Sequence, residues 1–270
     1  MPTPKQSRTQ DEPAFVLHQY PWSEASLILE IFSRHHGRLA LMAKGVKRPS
    51  SQFRPVLLPL QPLRLGWGGD AEVRTLKTAQ WEGGHVMPAG EALLAGYYLN
   101  ELLLKLLARD DPHPHLFDHY AQAVATLAQD VVPQAAVLRA FELLLLRDAG
   151  FLPLLSEEGS SLTPLDAARS YRLVPEAGLL TQSGTAAGSG LSGHDWQALQ
   201  QALDSPESFT ALLAVCGALV QEGVPGNALR NQLRTLLHYH GGVQVFRTRQ
   251  LMLEVQRLVP QPAPQSAPQA

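Results

Sequence analysis

A change of hydrophobic period near residue 87 limits the fold of this 270-residue chain more than any other feature. Before it, apolar residues alternate with polar ones in short runs separated by turn residues, the pattern of half-buried strands. Phe15 to Tyr20 is the first run. Leu27, Leu29 and Ile31 share a face in the second, and His36-Gly37 turns into a third where Leu39, Leu41 and Ala43 share a face. Leu63, Leu65 and Trp67 alternate in a fourth, Gly68-Gly69-Asp70 supplies a hairpin turn, and Val73 to Ala79 makes a fifth. Five short antiparallel strands in about 70 residues predict a closed barrel, because closure removes exposed edges. The five-stranded oligonucleotide-binding (OB) barrel is the common solution of that size.

From Glu91 the period lengthens to about 3.6. Leu94, Tyr97, Tyr98 and Leu102 mark one side of a helix, with Glu101 and Lys105 spaced for an i,i+4 ion pair. A second helix is expected over Leu116 to Ala128. A third runs from Gln134 to Ala149, with Leu138, Phe141, Leu144 and Leu145 inward and Gly150 at the left-handed C-terminal position. Pro153 to Gly193 has no sustained period and reads as irregular, with a short hairpin at Tyr171 to Leu180. Helices resume after Ser192, where Asp195 offers a capping box, and after Ser205, with two more over roughly Gly226 to Tyr239 and Thr248 to Leu258. The expected class is α+β: a disordered stretch 1–12, an OB barrel 13–86, a helical domain 87–259 with its irregular segment at 153–193, and a disordered Pro/Gln/Ala tail 260–270.

Charge divides along the same line. Residues 1–86 hold eleven Lys/Arg against seven Asp/Glu, and residues 87–270 hold eleven against seventeen, so a net charge of −2 hides a basic front and an acidic back. From Ile31 to Gly69 the chain carries Arg34, Arg38, Lys44, Lys47, Arg48, Arg54 and Arg64 without one Asp or Glu. An acid-free stretch cannot neutralise itself locally, and cations threaded through strands suit a polyanion such as nucleic acid. Arg38 and Lys44 are expected on one strand face about 20 Å apart, enough to span several phosphates. Lys47 and Arg48 follow in a Gly/Pro-bounded loop. Trp22, Phe53 and Trp67 are candidate platforms for unpaired bases. Core packing is the competing reading for each aromatic, and the favoured one for Trp67, which is in phase with Leu63 and Leu65.

Other chemistries find less support. The longest apolar run, Ala211 to Val220, is shorter than the roughly 20 residues a membrane span needs, and the polar first dozen residues offer no signal peptide, so a soluble cytoplasmic protein is expected. Cys216 is the one cysteine, which excludes an internal disulfide or a cysteine-based zinc site. Histidines cluster at His35-His36, at His113, His115 and His119, and at His238 with His240. Their spacings do not make a persuasive metal site, and neither metal nor cofactor is expected. The basic stretch has no carboxylates to hold the divalent cations of a nuclease, which argues against an enzyme.

The chain resembles the RecO family of bacterial recombination mediators. The likeness lies in Phe15-Val16-Leu17-His18, Trp22-Ser23-Glu24-Ala25-Ser26-Leu27, Gly37-Arg38-Leu39 and Ala43-Lys44-Gly45-Val46-Lys47-Arg48. It continues through Tyr98-Leu99-Asn100-Glu101-Leu102, Leu138-Arg139-Ala140-Phe141-Glu142, His240-Gly241-Gly242 and Arg247-Thr248-Arg249-Gln250-Leu251. The resemblance implies an OB domain followed by a helical domain, and a non-catalytic protein that binds single- and double-stranded DNA and anneals complementary strands. It further implies action with RecR to help load RecA onto DNA coated by single-stranded DNA-binding protein. Many relatives carry a four-cysteine zinc module where this chain has Ser156, Glu157 and Glu158, so it is similar to the zinc-free branch. Arg139 matches the basic position at which the family holds the acidic C-terminal tail of single-stranded DNA-binding protein, with Leu138 helping to form a pocket for an aromatic tail residue. An i,i+3 ion pair between Arg139 and Glu142 on a solvated face is the other reading. Two further classes stay open: an RNA-binding or ribosome-associated OB protein, and an adaptor acting only through its helices.

Overall fold

The computed structural model describes residues 8–182, 190–242 and 245–258. Five strands form a closed barrel: β1 (Arg8–Pro21), β2 (Leu27–Ser33), β3 (Gly37–Ala43), β4 (Leu63–Gly68) and β5 (Val73–Trp81), in the order β1-β2-β3-β5-β4. Strand directions cannot alternate all the way round an odd-numbered ring, so one neighbouring pair must run parallel. That pair is β3 with β5. The expectation of uniformly antiparallel strands is corrected on this point. Leu29, Ile31, Leu39, Leu41, Leu63 and Leu65 fill the interior.

β1 begins at Arg8, seven residues before the alternation at Phe15 becomes visible, so the expected disorder over 1–12 is wrong for 8–12. Residues 10–12 are polar and carry no apolar signal, yet the backbone ladder needs none. Thr9 pairs with Trp67 and Glu12 with Leu65 on β4, while the later half of β1 pairs with β2 across a bulge between Val16 and His18. One long strand thereby closes the barrel. The rest of the 1–12 expectation, and the whole 260–270 tail, lie outside the described residues.

Three helices follow: α1 (Glu91–Leu106), α2 (Pro114–Gln129) and α3 (Gln134–Asp148). α3 is buried on nearly every side, more than the one inward face expected of it, and Gly150 takes the left-handed conformation beyond it. The segment expected to be irregular contains more order than a hairpin. β6 (Ser170–Val174) pairs with β7 (Gly178–Thr181) and with β8 (Leu191–Ser192). Glu158 pins this small sheet, its carboxylate accepting from Thr181 N, Thr181 Oγ1 and Ser161 Oγ, and those bonds hold it below the usual carboxylate range. α4 (Gly193–Leu203) starts at a complete capping box between Ser192 and Asp195. α5 (Ser208–Gln221), α6 (Val224–Gly241) and α7 (Arg247–Leu258) complete the order. No single described helix is long and apolar enough to cross a membrane.

The barrel sits against α1 and α2 through buried, specific contacts. Phe15, Leu17 and Phe32 leave the barrel interior to join the helical core, where Phe15 meets Phe117 and Tyr120. Asn100 of α1 donates to Leu17 O at 3.0 Å and accepts from Tyr120 Oη at 2.5 Å. Two glycines permit the close approach. A Cβ on Gly37 would lie 2.0 Å from Asp111 O, and one on Gly96 would lie 2.5 Å from Leu60. At the surface Arg34 grips Asp118 with two 2.8 Å bonds.

Asn100→Ala orphans the Leu17 carbonyl and the Tyr120 hydroxyl, each at about 1–3 kcal/mol, so the unfolding free energy in urea is expected to drop by about 2–6 kcal/mol. Hydrogen bonding by Arg34 holds the Asp118 carboxyl below its usual value, so the pair stabilises the fold above the unfolded carboxylate pKa. That stabilisation is lost as pH falls through the lowered folded value. The melting temperatures of wild type and Asp118→Asn therefore differ at pH 7 and converge in acid.

Candidate nucleic-acid interface

The docked barrel sorts the acid-free stretch into two groups of cations. The first is consumed by structure. Arg34 is bound to Asp118, and Arg64 to Glu82 at 2.8 Å. Arg38 is only 16 % exposed and stands 3.7 Å from the buried carboxylate of Glu30. Burial lowers the Arg38 pKa, and Glu30 partly restores it. Glu30 is also bound by Arg109 from the α1–α2 connection, whose Asp110 N donates to Arg38 O. Arg34 and Arg38 are therefore interface residues, and the expectation that Arg38 and Lys44 share a free phosphate-spanning face is corrected.

The second group is free. Lys44, Lys47, Arg48 and Arg54 are exposed and form no ion pair with a described residue. The loop after β3 displays them by alternation: Val46 is buried in the barrel, Phe53 packs on it, and Gly45 has the positive φ that the turn requires. Lys47 ties this loop to the β1–β2 loop, with N donating to Ala25 O and Nζ to Ser23 O. Lys44, Arg48, Ser51 and Phe53 line a groove of about 490 Å³ with Lys77 and Gln80 of β5. Lys77 also lines an adjoining groove of about 210 Å³ that reaches Arg8. The cationic track thus crosses β5.

Aromatic surface lies beside these cations. Trp22, in the loop that Lys47 grips, is 62 % exposed, and Tyr20 is 44 % exposed. Register places Tyr20, Ile28 and Met42 in one row across β1, β2 and β3, on the face opposite the barrel core. His18 packs edge-on against Tyr20 at 4.5 Å. The outer face of the second and third strands is where OB barrels receive single strands. Here the α1–α2 connection covers its Arg38 end and leaves its Tyr20 end open. Trp67 is core, 3 % exposed, and Phe53 is half-buried at the groove wall.

A second site lies in the helical domain. A cavity of about 820 Å³ between α1, α3, α6 and α7 has apolar walls from Leu94, Val132, Leu138 and Met252 and is lined by Arg139, Arg230 and Arg249. Arg139 is 7 % exposed and donates from Nη2 to Glu142 Oε1 at 2.6 Å, an oxygen that also accepts from Tyr98 Oη at 2.8 Å. The i,i+3 pair is therefore real, but it is buried rather than solvated. Burial raises the Glu142 pKa, and Arg139 opposes that rise. Arg139 Nε is buried with no hydrogen-bond partner among the described residues.

Comparison with known families decides the assignment. The family profile described as "Recombination protein O N terminal" matches residues 8–84, and that described as "Recombination protein O C terminal" matches residues 87–232. The chain is similar to the DNA repair protein RecO of Variovorax paradoxus, 61 % identical over 93 % of this chain and 98 % of the relative. It is similar also to the DNA repair proteins RecO of a Polaromonas species (58 %) and of Polaromonas naphthalenivorans (57 %), with the same coverage. The chain belongs to the RecO family. Its work is in DNA repair and recombination, and its first domain is the OB barrel of that family. Among the described residues no group of three or more His, Cys, Asp or Glu can hold a metal ion.

Four of the seven cations singled out in the acid-free stretch, Lys44, Lys47, Arg48 and Arg54, are exposed on this RecO-family barrel without an ion pair among the described residues. Lys77, Arg8 and Tyr20 were missed. The first two lie outside the acid-free stretch, and the third has the phase of an ordinary strand residue. For Tyr20 the one available signal was its place beside Trp22.

Arg38→Ala removes a neighbour of the buried Glu30 and is expected to cost about 1–3 kcal/mol of stability while leaving oligonucleotide affinity within about twofold at a temperature where it is folded. Lys77→Ala is expected to do the reverse, with an unchanged urea midpoint and weaker binding in fluorescence anisotropy.

Proposed function

We propose that this protein is a non-catalytic recombination mediator that binds single- and double-stranded DNA on the barrel, anneals complementary strands, and engages the acidic tail of single-stranded DNA-binding protein in the helical cavity. The observation that carries the reading is that Lys44, Lys47, Arg48, Arg54 and Lys77, exposed and without an ion pair among the described residues, share the barrel surface with exposed Tyr20 and Trp22. Cations neutralise phosphates, while aromatic rings accept unpaired bases without reading sequence. A strand so neutralised can be approached by its complement at reduced like-charge cost, so annealing needs no covalent chemistry. The lone cysteine fits a non-catalytic role, because burial pushes the Cys216 thiol up to about 12.

The helical domain supports the second half. A terminal carboxylate fits among Arg139, Arg230 and Arg249, and an aromatic residue fits against Leu138 and its apolar neighbours. Holding that tail would place the barrel where displaced DNA becomes naked. Action with RecR and loading of RecA follow from family membership as part of the same proposal, as does a cytoplasmic, nucleoid-associated location.

A salt series with a labelled single strand tests the reading. Four phosphates neutralised on a single strand give a log-log slope of about −3. The variant with Lys44, Lys47, Arg48 and Lys77 all changed to Ala is expected to lose most of that slope and most annealing, while Tyr20→Ala with Trp22→Ala weakens single-strand binding more than duplex binding. Retained slope and annealing in the quadruple variant would move the DNA site off the barrel. Preference for RNA over DNA of equal length would support the RNA-binding class, and no salt-sensitive binding by the wild type would support an adaptor.

A further inference from the structure

α7 is the wall of the helical cavity that arrives last in the chain. It contributes Arg249, Met252 and Val255, whereas Tyr98 comes from α1, Leu138 and Arg139 from α3, and Arg230 from α6. Two devices hold its first turn. Glu101 of α1 accepts from Arg247 N and Thr248 N at 2.9 Å each and from Thr248 Oγ1 at 2.5 Å, so one carboxylate caps the helix from 146 residues away. This also corrects the expected Glu101–Lys105 pair, which is not among the described ion pairs. A negative charge at a helix N-terminus is favourable, and each backbone donor it satisfies would otherwise be orphaned. Phe246, fully buried, is pinned edge-on against Tyr98 at 5.8 Å and His238 at 5.1 Å.

Closure of α7 also works against charge. It brings Arg249 toward Arg234, Arg139 and Arg230, and burial together with these neighbours lowers the Arg249 pKa. Glu142 is paired with Arg139. Glu91 and Asp130 also line the cavity, but neither forms an ion pair with the arginines. Arg230 and Arg249 therefore face the cavity with no carboxylate at ion-pair distance among the described residues, and Arg249 shares the field of Glu142 with Arg139.

We propose that α7 is a strap that an anionic peptide terminus locks over itself, and that Glu101 is the positioning residue that clasps it. The proposal rests on the cavity being the acidic-tail site. An anion between Arg249 and Arg139 removes the repulsion that opposes closure, so ligand binding and strap docking stabilise each other reciprocally. Met252, unbranched and adaptable, suits a wall that must re-form around a ligand.

The test uses the full chain and a synthetic acidic peptide that ends in phenylalanine with a free carboxylate. The peptide is expected to slow amide hydrogen exchange in residues 247–258, and its C-terminally amidated form to do so far less. Glu101→Ala, which removes a residue outside the cavity lining, is expected to weaken the peptide about tenfold, with Glu101→Gln between it and wild type. Circular dichroism of both variants checks that the remaining helices are intact. Equal affinity in wild type and Glu101→Ala, with unchanged exchange in α7 on binding, would overturn the strap and leave the tail site standing. No peptide binding by the wild type would overturn both.

Discussion

The docking of the barrel on the α1–α2 connection is the constraint on which the rest of this molecule depends. Glu30, buried on the outer face of β2, is held by Arg109 from below the barrel and approached by Arg38 from the neighbouring strand. A buried carboxylate must be paired, so that requirement fixes which arginines are structural. Arg34 is claimed in the same way by Asp118, and Arg74 by Asp110. Because Arg34 and Arg74 are bound to acids of the helical side and Arg38 is enclosed beside Glu30, the positive field available to a ligand narrows to the loop after β3 and to β5. The fold itself chooses the interface.

The same docking leaves the two candidate sites with different chemistry. The barrel surface is open and cationic, with aromatic rings displayed beside charge, which suits a flexible polyanion recognised by backbone and base faces. The helical cavity is bounded by helices and more apolar than polar, with few, partly desolvated guanidinium groups, which suits one short anchored segment rather than a long strand. Asn100 links the halves mechanically. Its amide bridges the β1 backbone and Tyr120, two residues along α1 from Tyr98, which lines the cavity and donates to Glu142. A ligand in either site therefore acts on a body whose two parts share one packed core.

Much of this was legible in the sequence, for reasons that are local. The alternation through Leu39, Leu41 and Ala43 and the spacing through Phe141, Leu144 and Leu145 are direct consequences of strand and helix geometry, and the Ser192–Asp195 cap is a contact over three residues. What could not be read is long-range. Local neutrality looked decisive for Arg34 and Arg38, but the acid that binds Arg34 lies 84 residues away, and Arg38 is enclosed by the 109–111 segment. Glu101 had a plausible partner four residues on and uses a different one 146 residues away. The Arg139–Glu142 pair was visible as spacing, whereas its burial depends on α3 being surrounded, which no window along one helix reveals.

The central claim is that docking divides the arginines into bound and free. Modification by an arginine-selective dicarbonyl reagent, read residue by residue by mass spectrometry with and without a single-stranded oligonucleotide, tests it directly. The account predicts that Arg48 and Arg54 react in the free protein and are protected by the oligonucleotide, while Arg34 and Arg38 react slowly in both states. Protection of Arg34 or Arg38 by DNA, with Arg48 and Arg54 equally reactive throughout, would contradict it.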